Sequence, residues 1–227
     1  MICAAIVTAG GIGSRMGADI PKQYLRLAGV PILARTLSIF ERHPEIDFIV
    51  LTTPGGHVDY CLSEIVQCYG FRKVRNIVQG GRTRQQSVLN GLKLAEDADF
   101  VVIHDGVRPL VKASVISGSI EKAKLYGSAI AACPVRDTVK KSDGFNVDTM
   151  PRENLWLAHT PQTFRTSLIL EAHEKALADG FTGTDDASLV ERLGLKVAIV
   201  PDSDYNIKIT SPQDLAVAEK LLILQKS

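Results

Sequence analysis

Seven short apolar runs recur along this chain, and between them the apolar period lengthens from that of a strand to that of a helix. The runs are 4–7, 48–52, 76–78, 100–104, 129–133, 196–200 and 206–210. Helical spacing links Leu33, Leu37 and Phe40; then Val58, Leu62, Ile65 and Tyr69; then Val88, Leu92 and Ala95; then Ile116, Ile120 and Ala123. Strands that are apolar on both sides must be covered on both sides. The pattern therefore predicts an α/β fold: a Rossmann-like, mostly parallel sheet with helices on both faces. No linker or repeat divides residues 1–227, which is enough chain for one large domain. The last helix announces its start with Ser211 as N-cap, Pro212 at the first helical position and Asp214 in the first turn. One stretch breaks the rhythm. Around 136–156, and most clearly from Arg136 to Pro151, Ser142-Asp143-Gly144 separates two short β-prone runs, which predicts a protruding β-hairpin arm. A lone two-stranded arm is marginally stable unless something covers it.

Composition sets further bounds. A formal net charge of +1 gives no general pull towards nucleic acid or anionic lipid, so neither is expected as a partner. The apolar run near Met1 lacks a basic segment before it and reads as a strand, not a signal peptide. No apolar stretch nears the roughly 20 residues that span a bilayer. Cys3, Cys61, Cys68 and Cys133 form no C-x-x-C pair and have apolar neighbours. They are expected to be reduced core residues of a cytoplasmic protein, with Cys61 and Cys68, seven apart, on one packed helix face.

In a sheet of this class, ligands sit outside the carboxyl ends of the strands. Three post-strand segments carry suitable chemistry. The first run leads into Thr8-Ala9-Gly10-Gly11-Ile12-Gly13-Ser14-Arg15-Met16-Gly17, followed by Pro21-Lys22-Gln23-Tyr24. Its glycines let backbone N–H groups approach an anion, and Arg15 and Lys22 follow as cations. It is not the dinucleotide fingerprint, whose last glycine would fall on Met16, and it is not a P-loop, because Lys22 follows proline. A second segment, His104-Asp105-Gly106-Val107-Arg108-Pro109, places a carboxylate where a magnesium ion bridging phosphates would sit. There Arg108 either grips a phosphate or pairs with Asp105. The third, near the C-terminus, has Lys208 inside an apolar run, so its ammonium is expected to face a polar cleft. The loop Gln79-Gly80-Gly81-Arg82-Thr83-Arg84-Gln85-Gln86-Ser87 precedes a helix and fits base recognition. No histidine shows triad or zinc spacing.

Taken in order, A-G-G-I-G-S-R-M-G, P-K-Q-Y-L, G-G-R-T-R-Q-Q-S-V, H-D-G-V-R-P, P-V-R-D-T-V-K, A-H-T-P-Q-T-F, T-D-D-A-S and N-I-K-I-T resemble the 2-C-methyl-D-erythritol 4-phosphate cytidylyltransferase family over essentially the whole chain. The resemblance implies transfer of a cytidylyl group from CTP to that polyol phosphate, with pyrophosphate released and a divalent cation, Mg2+, required. By the same resemblance Arg15 and Lys22 stabilise charge on the reacting phosphate and Asp105 holds the metal. Ala9, Gly10, Gly11, Gly13, Gly81, Arg82 and Ser87 belong to the nucleotide pocket. Lys208 and Arg152 act at the acceptor, which Asp105, Arg108, Thr138 and Thr160 also contact. The arm of such enzymes crosses to a second subunit, which implies a homodimer with arm exchange. Thr8 and His159 depart from the usual pattern. Tyr205-Asn206-Ile207-Lys208 also resembles the ribitol-5-phosphate cytidylyltransferases, whereas P-V-R-D-T-V-K and N-L-W-L-A-H-T-P-Q side with the erythritol enzymes. A nicotinamide-dependent reductase lacks its fingerprint here, and a regulatory nucleotide-binding module would not need Arg15, Lys22, Asp105 and Lys208 together.

Overall fold

The computed structural model describes residues 1–11 and 20–224. Chain order gives strands β1 (Cys3–Thr8), β2 (Arg26–Leu27), β3 (Val30–Pro31), β4 (Phe48–Thr53), β5 (Val74–Gln79), β6 (Phe100–Asp105), β7 (Ser128–Pro134), β8 (Val139–Ser142), β9 (Val147–Met150), β10 (Trp156–Arg165) and β11 (Ala198–Pro201). The helices are α1 (Ile32–Arg42), α2 (Val58–Tyr60), α3 (Arg84–Leu92), α4 (Ala113–Tyr126), α5 (Thr166–Ala178), α6 (Asp186–Arg192) and α7 (Pro212–Leu224). Seven strands form one sheet in the order β11-β7-β10-β6-β1-β4-β5. Its pairs are parallel except those of β10, which runs antiparallel to β6 and β7.

The sheet is buried on both faces, as the continuous apolar runs require. Cys3, Ala5 and Val7 of β1 face one core with α1 and α4, while Ala4 and Ile6 face the other with α3, α5 and α6. Gly91 shows how tightly α3 lies on the sheet: a Cβ there would come within 2.7 Å of Ile6 Cγ2. The start of α7 is a reciprocal cap. Ser211 Oγ accepts from Asp214 N at 3.3 Å, and Asp214 Oδ2 accepts from Ser211 N at 2.8 Å. No helix among the described residues is long and apolar enough to cross a membrane.

Three expectations are corrected. Residues 206–210 form no strand. Ile207 and Ile209 instead pack on Leu27, Val107, Leu110 and Ala218, so their apolar character serves a small third core, not a ladder. β10 is central in the sheet although it is not among the seven apolar runs. That strand carries Pro161 and polar His159, Thr160 and Gln162, and its register on β7 shifts between Ala158 and Gln162; proline inside a sheet belongs at such an irregularity. Cys68 is exposed while Cys61 is buried. Here α2 continues as a π-helix over Cys61–Gln67. Seven residues make nearly two α-turns but fall well short of two wider π-turns, so the second thiol leaves the packed face.

The hairpin is present, with β8 and β9 paired from Val139↔Met150 to Ser142↔Val147. Asp143 Oδ1 closes its tip by accepting from Phe145 N at 2.9 Å and Asn146 N at 2.8 Å. Those two N–H groups bring the Asp143 carboxyl down to about 2. Phe145 is 97% exposed, so nothing in this chain covers the largest apolar side chain of the β8–β9 hairpin.

Candidate active site

A cleft opens at the carboxyl edge of the sheet, where β1 and β6 end. Four cations and one carboxylate line it among the described residues: Lys22, Arg82, Arg84 and Lys208 around Asp105. Its floor is backbone from Ala9, Gly10, Gly11 and Gly81. A neighbouring hollow shares Gly10, Gly11, Gly81 and Arg82 and extends to Gln79, Gly80 and Asn90, with much less charge. The two glycine segments are pressed together: a Cβ on Gly80 would meet Gly10 Cα at 3.4 Å, besides Ser87 Oγ at 2.8 Å. Gly13 and Arg15 lie outside the described residues.

Local chemistry holds each part in place. Lys22 opens a 3-10 turn, Lys22–Tyr24. Buried Gln23 ties that turn to β1 by donating from Nε2 to Ala9 O at 2.6 Å. Tyr24 packs between His57 and Tyr60, and its hydroxyl meets Cys61 Sγ at 3.2 Å. On the opposite wall Thr83 caps α3, with its Oγ1 accepting from Gln86 N at 3.1 Å. Ser87 Oγ accepts from Gly81 N at 3.0 Å and donates to Thr83 O at 2.9 Å, and Gln86 Oε1 accepts from Arg82 N at 2.9 Å.

Asp105 is the electrostatic centre. Arg84 Nε lies 3.1 Å from its Oδ1, and Lys208 Nζ and Arg108 Nε lie 2.9 and 3.4 Å from its Oδ2. Burial alone would raise this carboxyl, but Arg84, Lys208 and Arg108 overcome it and hold Asp105 well below the usual carboxylate range. Arg108 is buried and also donates to Asn206 O at 2.6 Å, so of its two expected roles the structure provides the pairing with Asp105. Buried Thr160 accepts from Asp105 N at 3.1 Å and donates to His104 Nδ1 at 3.0 Å, while His104 Nε2 donates to Arg108 O at 3.1 Å. Burial pushes His104 down to about 4, so it is neutral and serves as a strut.

Of the expected acceptor residues, Asp105 and Lys208 line the cleft and Thr160 supports it from behind. Thr138 and Arg152 are exposed at the root of the arm, where Arg152 Nη1 donates to Arg136 O. Arg84, which bridges Asp105 and the buried Asp186, is a site residue that the strand-end pattern does not mark. A signal for it exists: an arginine in the first turn of a helix opposes the helix dipole and calls for anionic partners.

A family model described as 2-C-methyl-D-erythritol 4-phosphate cytidylyltransferase matches residues 3–224. The chain belongs to that family. This cytidylyltransferase is 51% identical over 226 residues, 98% of its own chain and 97% of the other, to a protein of Geotalea uraniireducens bearing the family's name. A relative from Geobacter metallireducens is 49% identical over 227 residues, with 98% of both chains covered. Among solved structures, the 4-diphosphocytidyl-2C-methyl-D-erythritol synthase of Anaerococcus prevotii superimposes with a TM-score of 0.87 at 34% identity, covering 98% of this chain and 96% of that one. The 2-C-methyl-D-erythritol 4-phosphate cytidylyltransferase of Thermus thermophilus gives 0.80 at 33%, covering 96% and 98%. The enzyme is thus a nucleotidyltransferase of α/β fold, as its motifs suggested.

The donor set can be tested against magnesium. Among the described residues no group of three or more His, Cys, Asp or Glu side chains is placed to hold a metal, and Asp105 is the sole carboxylate of the cleft. Magnesium at phosphoryl-transfer sites is commonly held by one or two carboxylates plus the substrate's phosphates. Asp105, with both oxygens already on Arg84, Lys208 and Arg108, is at most a supporting carboxylate and not a resident metal cage.

The charge balance at Asp105 has a measurable consequence. Its pairing contributes its full stability above the unfolded value of 3.8 and loses it progressively as pH falls from there towards the much lower folded value. Asp105→Asn should therefore cost about 3 kcal/mol near neutrality, by leaving buried Arg108 and the partly buried Arg84 and Lys208 without this carboxylate. The gap from wild type should narrow below about pH 4. Urea midpoints of both proteins at pH 7 and pH 3 check this; an unchanging gap would mean that the pairing does not hold the charge.

Proposed function

We propose that this chain transfers the cytidylyl group of CTP to the phosphate of 2-C-methyl-D-erythritol 4-phosphate, giving the CDP-linked alcohol and pyrophosphate. The observation that carries the reading is a glycine-floored cleft whose one carboxylate is outnumbered by cations, beside a less charged hollow suited to a base. The triphosphate lies over Gly10 and Gly11 with Lys22, the cytosine lies against Gly80, Gly81 and Ser87, and the acceptor lies at the Asp105–Lys208 end. An acceptor phosphate oxygen attacks the α-phosphorus in line. The new P–O bond forms as the bond from the α-phosphorus to the bridging oxygen breaks, and that oxygen leaves with pyrophosphate. Negative charge spreads over the α-phosphate's remaining oxygens, where Lys22, with Arg15 outside the described residues, stabilises it. Lys208 attracts the acceptor phosphate, and Asp105 keeps that ammonium oriented. Magnesium bound with the triphosphate would neutralise phosphate charge, with Asp105 as its protein carboxylate.

The exposed arm, with Phe145 uncovered, supports a homodimer in which each arm completes the other subunit's acceptor site through Thr138 and Arg152. Four free cysteines suit a reducing cytoplasm. The test is purified protein with CTP, magnesium and the erythritol phosphate. Mass spectrometry should find the CDP-alcohol and stoichiometric pyrophosphate, and excess EDTA should abolish both. Full turnover in EDTA would remove the metal from the scheme, and no product would remove the reaction.

A further inference from the structure

Arg84 opens α3 directly behind the 80–83 turn, yet its side chain leaves the nucleotide side of the cleft and reaches across to Asp105. Its other arm lies 2.8 Å from Asp186 Oδ2. Asp186 is buried at the start of α6, where Gln162 Oε1 accepts from its N–H and from that of Ala187, both at 3.1 Å. Behind it His173 Nε2 stands 3.5 Å from Asp186 Oδ1. Asp105 is thus tied, through one guanidinium, to a fixed point deep between β10 and α5.

We propose that Arg84 is a positioning residue for the reaction, one that orients the Asp105 carboxylate and keeps Lys208 available to the acceptor, with Asp186 as its anchor. The inference rests on the functional reading given above. Three observations carry it. First, the two oxygens of Asp105 are divided between partners: Arg84 holds Oδ1, and Lys208 and Arg108 share Oδ2. Without Arg84, the remaining contact of Oδ1 is Thr8 Oγ1 at 3.5 Å, so the carboxylate, already 2.9 Å from Lys208, would lose the guanidinium that offsets its charge and hold that ammonium more tightly against the acceptor phosphate. Second, the bridge is not built for stability alone. Arg84 Nη2 and Asp186 Oδ2 are buried without a hydrogen bond of good geometry, although Oδ2 lies close to Nη1. A structural ion pair earns little unless its remaining donors and acceptors are satisfied. Third, the hydrogen bonds that shape the base side, Gly81 N to Ser87 Oγ and Arg82 N to Gln86 Oε1, do not involve the Arg84 side chain.

The third point makes the proposal testable by a split between the two substrates. In Arg84→Lys one ammonium cannot span both carboxylates. Its kcat/KM for 2-C-methyl-D-erythritol 4-phosphate should fall about tenfold or more, within the range that misplaced reacting groups cost, while KM for CTP stays within about threefold. Asp186→Asn keeps the shape and removes the anchor's charge; it should shift the same parameter in the same direction, by about threefold. A parallel rise in KM for CTP, or no change in either variant, overturns the proposal, because a purely structural arginine would disturb both substrates or neither. Should the lysine variant fail to fold, the asparagine variant decides. Wild-type turnover separates the two readings. An inactive wild type ends the functional reading and this one with it, whereas an active wild type without the split ends the positioning role alone.

Discussion

Lys22→Ala is expected to leave a folded protein whose kcat is lower by about two orders of magnitude or more, the usual scale for losing one charge partner of a transition state. The fold should survive because the turn holding Lys22 is fixed by its neighbours. Gln23 is buried and bonded to Ala9 O, and Tyr24 is held by Cys61, His57 and Tyr60. The loss should appear mainly in kcat, because charge on the α-phosphate oxygens grows as the reaction proceeds and the lysine's contribution grows with it. Arg15→Ala should behave alike, and Arg15→Lys should rescue poorly because the forked donor is lost. Single-turnover kinetics with circular dichroism on the same samples would check this. Near-normal turnover in a folded alanine variant would contradict the assignment.

Activity is also expected to return when two inactive proteins are mixed. If Arg152 serves the neighbouring subunit while Lys22 serves its own, a heterodimer of Arg152→Ala and Lys22→Ala has one site with both lesions and one with neither. After random exchange about a quarter of all sites should be intact, against almost none in either parent. The basis is geometric: Arg152 stands at the root of an arm whose tip residue Phe145 is almost wholly exposed. No recovery, despite exchange shown by mass spectrometry of tagged subunits, would mean that Arg152 acts within its own chain.

How much of this was legible in the sequence followed from how local each signal is. Strands β4 and β6 are buried throughout and β1 in all but Thr8, so their apolar runs mark them directly. The arm was legible because Asp143 makes its turn with Phe145 and Asn146, two and three residues further on. β10 escaped because a central strand carrying His159, Thr160 and Pro161 beside the cleft looks like a loop. Residues 206–210 misled in the opposite sense: burial against α7 gives the same apolar alternation as a ladder. Within the site, Asp105 and Lys208 stood out as polar residues after or within apolar runs. Arg84 did not, because its meaning lies in two carboxylates far away in sequence that only the fold brings together.

The most direct test of the account is kcat/KM for 2-C-methyl-D-erythritol 4-phosphate and for ribitol 5-phosphate, at saturating CTP with magnesium. Both acceptors carry a phosphate that Lys208 would attract, so any preference reports the fit of the polyol. A methyl group alone is worth only about 1–3 kcal/mol, but hydroxyls left unpaired by the wrong alcohol exclude it more strongly. A clear preference for the erythritol phosphate is expected, by about a hundredfold or more, on the scale of about 3 kcal/mol. A preference for ribitol 5-phosphate, or no turnover of either, would contradict it.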